Sequence, residues 1–166
     1  MKKFILIFLL AIIPIAAQMK IGYVDSQTII KQLPDAQDAQ KKLDRLVIEW
    51  QDELQKLESE WKQKYDDYEK RKLVMSNQKR AITESELVNM EKQIADYRQA
   101  KFGVNGELFK QQEELMKPIQ NKVFNIIQQV AKDKDLDFVF DRSGDMIFLY
   151  AKEEYDLTNE VLTKLK

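Results

Sequence analysis

The side chains that most often perform catalysis are missing from this sequence. It contains no histidine and no cysteine, which excludes Ser-His-Asp and Cys-His nucleophile systems and the usual zinc ligand sets. It also has no P-loop and no glycine-rich loop that could hold a phosphate. Asp141 and Asp145 enclose a short turn and resemble a calcium or acid–base pair, but aspartates are also ordinary turn residues. We therefore predict that the protein is not an enzyme and has neither a cofactor nor a metal site.

A cluster of basic side chains offers a different chemistry, the binding of anions. No acidic residue lies between positions 70 and 83, and this segment contains five cations with two apolar neighbours: Lys70, Arg71, Lys72, Lys79, Arg80, Leu73 and Met75. Such a cluster is typical of a solvated helix face, or of a contact with acidic lipid headgroups or acidic polypeptide segments. The whole chain has a net charge of −1, and we therefore expect no nucleic-acid partner.

A very long helix must carry this cluster. Neither glycine nor proline occurs between Pro34 and Gly103, and apolar or aromatic residues recur with gaps of 3, 4, 4, 3, 4, 4 and 3: Leu43, Leu46, Trp50, Leu54, Leu57, Trp61, Tyr65 and Tyr68. This eleven-residue repeat is close to the period of a straight helix. Pro34 suits a first helical turn. A helix over about 36 to 75 would reach roughly 60 Å, so it must project from any domain of this size.

The helical pattern is lost over residues 73–80 and resumes with Leu87, which predicts a chain reversal within 73–83. Ser76 is one candidate N-cap for the returning helix, and Thr83 with Glu86 forms a possible capping box. Two antiparallel helices would follow, with the basic cluster at their shared tip. One continuous coiled coil of about 80 residues is the alternative.

Five aromatic residues lie on the helices of the predicted hairpin: Trp50, Trp61, Tyr65, Tyr68 and Tyr97. Their helical spacing favours a packing seam between the two helices. A surface that contacts a partner is the alternative.

The returning helix contains possible breaks. Gly103 and Gly106 interrupt a stretch that otherwise predicts a helix from about 84 to 132, and each glycine costs about 1 kcal/mol relative to alanine. Pro118 adds a second break, because proline removes one helical hydrogen bond. We hypothesise a hinge at 103–106, with Pro118 setting the direction in which the helix leaves the body. The alternative is that the glycines permit close approach of the neighbouring helix.

Short β segments flank the helices. Residues 21–24, 136–140 and 146–150 favour strands, and the last two predict a β-hairpin across 141–145. Asp156 is expected to cap a closing helix that carries Leu157, Val161 and Leu165 on one stripe. Three short strands with exposed edges are marginal in isolation, so we predict that identical chains associate. The predicted assembly residues are Ile21, Tyr23, Val24, Phe138, Val139, Phe140, Ile147 and Leu149.

The N-terminus predicts export. Lys2 and Lys3 precede a ten-residue apolar run, and small residues follow Pro14, as in a secretory signal peptide cleaved near Ala17. A retained membrane anchor is the alternative, but the run is half the length that a bilayer requires.

Five short segments occur in a distinctive order around the long helical region: KIGYVDS, LPDAQDAQKKL, LMKPIQNKV, DLDFVFD and YDLTNEVLTKL. With the signal peptide, this order resembles the Skp/OmpH family of periplasmic chaperones for outer-membrane proteins. The resemblance implies a mostly α-helical, jellyfish-like homotrimer with a small β body and long antiparallel hairpins that enclose a cavity. Each hairpin would be inserted between the first strand and a C-terminal β-hairpin plus helix. The implied division is a signal peptide at 1–17, a discontinuous body at 18–38 and 117–166, and a hairpin at 39–116 with its tip near 73–83.

The resemblance also implies a function. The protein would hold unfolded outer-membrane proteins in the periplasm without ATP and prevent their aggregation. The basic cluster of this sequence adds the hypothesis that the hairpin tips contact clients or an anionic membrane surface. The alternative is a periplasmic coiled-coil spacer or adaptor that binds one folded envelope partner. A chaperone should bind many unfolded proteins, whereas an adaptor should ignore them.

Overall fold

The computed structural model describes residues 19–144 and 147–165. The predicted signal peptide at 1–17 lies outside these residues. The elements follow one another in this order: β1 (Ile21–Val24), α1 (Ser26–Gln32), α2 (Pro34–Arg71), α3 (Asn77–Phe102), α4 (Glu107–Asp133), β2 (Phe138–Asp141), a 3-10 turn (Glu153–Tyr155) and α5 (Thr158–Leu165). No helix in this part of the chain is both long and apolar enough to cross a membrane.

The boundary between α1 and α2 is set by local chemistry. The carboxylate of Asp25 caps α1 by accepting a hydrogen bond from the Thr28 amide at 2.8 Å. Leu33 ends α1 with an extended backbone, ψ 129°, because the residue before a proline is disfavoured in the helical region. Pro34 then occupies the first turn of α2, where its missing N–H costs nothing. The predicted role of Pro34 is confirmed.

The chain reverses between α2 and α3. The hydroxyl of Ser76 accepts a hydrogen bond from the Lys79 amide at 3.2 Å and caps α3. Thr83 lies inside α3 instead, where its hydroxyl donates to the Lys79 carbonyl at 3.0 Å. The capping box at Thr83 is therefore wrong, because Ser76 starts the helix earlier and the helix continues through Thr83. The alternative of one continuous coiled coil is also wrong.

The returning chain consists of two helices. Gly103 ends α3 with an extended backbone, φ −70° and ψ 172°, and Asn105 adopts the left-handed conformation at φ 59°. The interruption predicted at Gly103 and Gly106 is therefore confirmed, since one helix ends and another begins there. Pro118, by contrast, lies inside an unbroken α4, so the break predicted there is wrong. One lost hydrogen bond is tolerated because the neighbouring Ile119 is buried in the core.

The two strands pair in parallel, in register from Ile21 opposite Phe138 to Val24 opposite Asp141. The predicted β-hairpin does not form, because β2 pairs with β1 and residues 147–150 are not a strand. Asp145 and Met146 lie outside the described residues. Parallel strands need a long crossover connection, and helices α1 to α4 provide it between β1 and β2.

One apolar core joins the sheet to the helices. Its completely buried side chains come from distant parts of the chain, and they include Ile29 of α1, Val130 of α4 and Val161 of α5. The Asp156 carboxylate accepts a hydrogen bond from the Thr158 amide at 2.9 Å, but the carbonyl of Leu157 accepts the first helical hydrogen bond, from the Val161 amide at 2.9 Å. Asp156 therefore lies one residue before the cap of α5, and the predicted capping position is wrong by one residue. The core therefore closes only when both ends of the described chain meet α4.

Candidate functional site

The two-stranded sheet has one face that packs on the core and one partly open face, on which Tyr23 is only 6% exposed. Val24 and Val139 pack into the core, whereas side chains alternate to the opposite face along each strand. This opposite face, which we call the outer face, carries Ile21, Tyr23, Phe138 and Phe140. The Phe138 and Phe140 rings stack with their centroids 6.3 Å apart, and Phe138 remains 52% exposed. An aromatic sheet face of this kind is suited to cover by another polypeptide.

Residues 147–150, which we call the arm, cross near this face. The Phe148 ring lies 5.7 Å from the ring of Tyr23. Ile147 is 85% exposed and Leu149 is 97% exposed. The structure therefore separates the eight predicted assembly residues into three groups. Val24 and Val139 pack into the core of their own chain, and Ile147 and Leu149 lie on the arm. The other four form the outer face.

The segment that leads into the arm is held by polar contacts. Arg142 lies 3.5 Å from the carboxylate of Asp25 and 3.7 Å from that of Asp156. Asp141 accepts hydrogen bonds from the amides of Ser26 and Ser143 at 3.1 and 3.0 Å. Burial alone would raise the pKa of Asp141, but hydrogen bonds from Ser26 and Ser143 hold this pKa below its ordinary value. Asp141 thus has a structural role at the base of the arm.

A groove lies between the sheet and α4, with a volume of about 440 Å³. Its apolar lining comes from β1, α1, α4 and β2, and includes Val24, Ile30, Val123, Phe124, Ile127 and Phe140. Asp141 is the charged residue in its wall. Phe124 is 59% exposed, which is unusual for an aromatic residue beside the core. Sequence reasoning missed this groove, because its walls come from four separate elements.

The tip of the hairpin combines apolar and basic side chains. Leu73 and Val74 are 87% and 86% exposed in the turn between α2 and α3, whereas Met75 is partly buried. The turn is ordered by backbone hydrogen bonds from the amides of Val74 and Met75 to the Arg71 carbonyl, at 2.9 and 3.2 Å. Val74 was not among the predicted tip residues, although it lies between Leu73 and Met75, which were.

The five basic side chains of the tip are not equivalent. Arg71 pairs with Asp67 at 2.9 Å, and Lys72 pairs with Glu69 at 2.9 Å. The guanidinium of Arg80 donates to the Lys72 carbonyl at 2.8 Å and so holds the turn. Lys70 and Lys79 have no acidic partner within 4.0 Å among residues 19–144 and 147–165. These two lysines are the cations most available to an external anion.

The aromatic stripe lies along the contact between α2 and α3, which we call the seam. Trp50 packs edge-on against Phe102 with ring centroids 6.1 Å apart, and the ammonium of Lys101 lies 4.6 Å from the Trp50 ring centroid. The Tyr68 hydroxyl donates to the Glu84 carboxylate on the opposite helix. Both ends of the seam are therefore fixed by contacts between helices.

The middle of the seam is less buried. Trp61 and Tyr65 stack on each other along α2 with centroids 5.2 Å apart. Burial, followed by the charges of Glu53 and Glu49 on α2, raises the pKa of Tyr97 on α3. Tyr97 therefore faces the acidic side of its neighbouring helix. In the described part of the chain, no group of three or more acidic side chains is arranged to hold a metal ion.

Comparison with known proteins yields one family and one fold. The family model described as outer membrane protein (OmpH-like) matches residues 20–165. The crystal structure of a candidate outer membrane chaperone (OmpH-like) from Caulobacter crescentus CB15 superposes with a TM-score of 0.73 at 14% sequence identity. The match covers 90% of this chain and 85% of that chain, and it establishes a shared fold. No curated protein matches the sequence significantly.

Proposed function

Because the chain belongs to the OmpH-like outer membrane protein family, we propose that it is a periplasmic holdase chaperone that works without ATP. Its clients would be unfolded outer-membrane proteins, held in a cavity between the hairpins of a homotrimer. The signal peptide at 1–17 would direct export and then be removed. Membership of this family supports a chaperone-type role, and the geometry of the chain supports the finer points of the proposal.

The shape of the chain carries the proposal. Helix α2 contains 38 residues, which corresponds to a length of about 57 Å. Its N-terminal turns, with Ala36 and Ala39, are packed into the body, and the rest extends toward the tip with one side against α3. A solvated hairpin of this length provides a wide contact surface without a chemical centre, as passive holding of an unfolded chain requires.

Assembly would bring several hairpins to one side of a shared body. The outer face and the arm expose apolar side chains that a soluble monomer would leave in water, and their burial between copies is favourable by roughly 25 cal/mol per Å². Three hairpins leaving one body would enclose a space between them. The cavity therefore depends on the outer face as much as on the hairpins.

Two neighbouring substitutions test the assembly. Phe138→Asp places a charge on the outer face, so we expect a folded monomer. Val139→Asp places a charge in the core of the same strand, so we expect the body itself to unfold. Sedimentation equilibrium and circular dichroism separate these outcomes. A wild-type protein that sediments as a folded monomer would refute the trimer.

An aggregation assay tests the holding activity. Two unrelated outer-membrane proteins are diluted from denaturant, and their light scattering is followed with and without this protein. We expect scattering of both clients to be suppressed in the absence of ATP, and Phe138→Asp to suppress neither, because a monomer has no enclosed space. Selective binding of one folded partner with no effect on unfolded proteins would instead support an adaptor.

The hairpin tip is proposed as a second contact surface. Leu73 and Val74 extend from an ordered turn, and nearby are Lys70 and Lys79, which have no acidic partner among the described residues. Apolar side chains flanked by cations are suited to the interface of an anionic membrane. The tips would then bring a loaded chaperone to the membrane that receives its client.

A further inference from the structure

We propose that one face of α4 binds an extended segment of the client that is about as long as a single strand of an outer-membrane β-barrel. This inference rests on the function proposed above, and it adds which surface meets the client and in which conformation. The face, which we call the α4 stripe, consists of six uncharged residues: Phe109, Gln112, Met116, Gln120, Phe124 and Ile127.

The α4 stripe is one continuous surface. Its members follow one another with gaps of 3, 4, 4, 4 and 3 residues, which places them along one side of a helix. The members from Phe109 to Gln120 line one hollow, and those from Gln120 to Ile127 line the groove beside the sheet. Phe109 is 52% exposed and Phe124 is 59% exposed. The stripe therefore remains open to a partner along its length.

The stripe differs in charge from a comparable exposed apolar position on α2. Ile48 is 58% exposed, but Asp44 and Asp52 lie four residues before and after it in the same row of the helix. Beside the α4 stripe, Glu113 and Lys117 carry opposite charges 4.0 Å apart and add no net charge. The stripe is therefore suited to a segment without net charge, because a charged segment would lose hydration there without gaining a counter-charge.

Amide and apolar side chains alternate along most of the stripe. Gln112 and Gln120 are exposed, and each offers both hydrogen-bond donors and an acceptor. They can therefore pair with the peptide groups of an extended chain, which all unfolded clients share. Met116 lies between them, and methionine adapts its shape to different apolar partners. The stripe thus combines hydrogen bonding that does not depend on client sequence with adaptable apolar contact.

The length of the stripe fits a β-strand. From Phe109 to Ile127 the helix rises by about 27 Å, which corresponds to about eight residues of extended chain. Side chains on one face of such a chain repeat every 6.7 Å or so, close to the rise of about 6 Å between stripe members four residues apart. A strand of an outer-membrane barrel contains about 9 to 11 residues and alternates apolar with polar side chains. One such strand can lay its apolar face on the stripe and keep its polar face in water.

The position of the stripe favours a client over a second copy. Its first half follows the joint at 103–106 and belongs to the segment 39–116 that we assign to the hairpin. Contacts between bodies would leave this half in water, whereas a chain held between the hairpins would meet it. The arm of the same chain is occupied elsewhere, since Phe148 lies against Tyr23.

Two double variants test the stripe with matched charge. Gln112→Glu with Gln120→Glu places two negative charges on it with almost no change in side-chain size. The control, Gln55→Glu with Gln63→Glu, adds the same charges at the same eight-residue spacing on α2, where both glutamines are exposed. The probe is an unfolded outer-membrane barrel protein of about eight strands, labelled with a fluorophore and diluted from urea. Fluorescence anisotropy measures its affinity.

We expect the stripe variant to bind this client roughly fivefold more weakly than the wild type, and the control to stay within about twofold of it. Equal weakening by both would overturn the inference, since only net charge would then matter. Unchanged binding by the stripe variant would overturn the inference and leave the proposed function intact. A wild-type protein that binds no unfolded client would refute both.

A single substitution separates a client from a second copy as the occupant. Phe109→Gln should weaken client binding roughly fivefold and leave the assembly unchanged in sedimentation equilibrium. Ile48→Gln is the control and should affect neither. Dissociation of the assembly by Phe109→Gln would overturn the inference, because the stripe would then join copies.

Two competing peptides test the conformation of the bound segment. One peptide of about ten residues alternates apolar and polar side chains, as a barrel strand does. The other has the same composition, with its apolar residues spaced as on one face of a helix. We expect the alternating peptide to displace the labelled client at a roughly fivefold lower concentration. Equal displacement by both peptides would overturn the inference that the client binds as an extended strand.

Discussion

The body and the hairpin of this protein differ in how their side chains are buried. In the body, Ile29, Val130 and Val161 come from three different helices and have no exposed surface. In the hairpin, the part of α2 that follows Trp50 has no buried residue. The only buried residues of α3 are Thr83 and Leu87. The body depends on contacts between distant segments, whereas the hairpin depends on contacts along and between two adjacent helices.

This difference follows from geometry. A pair of helices can cover only one stripe of each, so most side chains of a hairpin remain in water. Local helix formation and packing along the seam must supply much of its stability, because exposed ion pairs between the helices, such as Arg98 with Glu58 at 2.6 Å, each contribute little. A region of this kind tolerates surface change and small deformation. The hairpin is therefore suited to varied contacts, and the body to a single, precise assembly.

The largest effect is expected in the body. Ile29→Ala leaves a cavity among completely buried side chains, and we expect it to lower the free energy of unfolding by about 3 kcal/mol. The matched change in the hairpin is Leu57→Ala, at a half-buried position, for which we expect about 1 kcal/mol. Urea unfolding followed by circular dichroism at one protein concentration measures both. Equal losses would contradict the contrast between the two regions.

A smaller effect is expected where the hairpin is most tightly packed. Trp50→Ala removes the contact with Phe102 and the cation–π contact with Lys101, so we expect a loss of about 2 kcal/mol. Ile48→Ala is the control, because Ile48 lies on the same helix but is 58% exposed. Urea unfolding should show little change for this control. A similar loss at both positions would show that the seam does not stabilise the hairpin.

The break at 103–106 gives a test of the hinge. A Cβ atom on Gly103 would lie 2.4 Å from the Gln99 carbonyl oxygen, so Gly103→Ala should destabilise the hairpin by about 1 kcal/mol. Gly144→Ala is the control, since a Cβ atom there meets nothing within 4 Å. The close neighbour of Gly103 is the preceding turn of its own helix, which differs from the predicted close approach of the partner helix.

Spin-label distances between the tips then address motion. If 103–106 is a hinge, Gly103→Ala combined with Gly106→Ala should narrow the range of tip-to-tip distances and impair the holding of large clients. An unchanged distance range would reject the hinge and leave the glycines with a packing role only.

The tip should affect binding far more than stability. Lys70→Gln with Lys79→Gln should change the free energy of unfolding by less than about 0.5 kcal/mol, yet weaken binding to anionic vesicles by roughly tenfold. Lys41→Gln with Lys42→Gln removes the same charge near the body and is the control. Vesicle sedimentation at low and high salt measures binding. Equal weakening by both double variants would indicate that only the net charge matters.

The smallest effect concerns pH. Glu86 on α3 pairs with Lys64 on α2 at 2.6 Å, and this hydrogen bond and charge lower the pKa of Glu86 from its ordinary 4.5. A lowered pKa stabilises the folded state above the ordinary value, and this contribution is lost as pH falls through the lowered value. The thermal stability of the hairpin should thus decrease slightly as the pH falls from about 5 to about 3. Glu86→Gln should reduce this dependence, and an unchanged slope would count against the pair.

The helices were largely predictable because their signals are local. The eleven-residue repeat and Pro34 predicted a helix over about 36 to 75, and α2 spans Pro34–Arg71. Ser76 was among the predicted caps and does begin α3. The break at 103–106 was underestimated, since two glycines by themselves show a weak point but not whether the helix actually ends.

The strand pairing was not predictable from local patterns. Residues 136–140 and 146–150 both favour strands and enclose a turn, which is the ordinary signal for a β-hairpin. The structure instead pairs β2 with β1, more than one hundred residues earlier in the sequence, because only this pairing places Val139 over the core formed by α1, α4 and α5. The groove and Phe124 were missed for the same reason.

The sequence by itself determined the long helices, the position of the reversal, the absence of histidine and cysteine chemistry, and the apolar character of the strands. These properties depend on neighbouring residues, whose spacing is visible in the chain. Only the tertiary structure decided which face of each strand is buried, which tip lysines lack acidic partners among the described residues, and that β1, α1, α4 and β2 meet in one groove. Such facts depend on contacts between residues far apart in sequence, and the free energy of those contacts is set only when the whole core has formed.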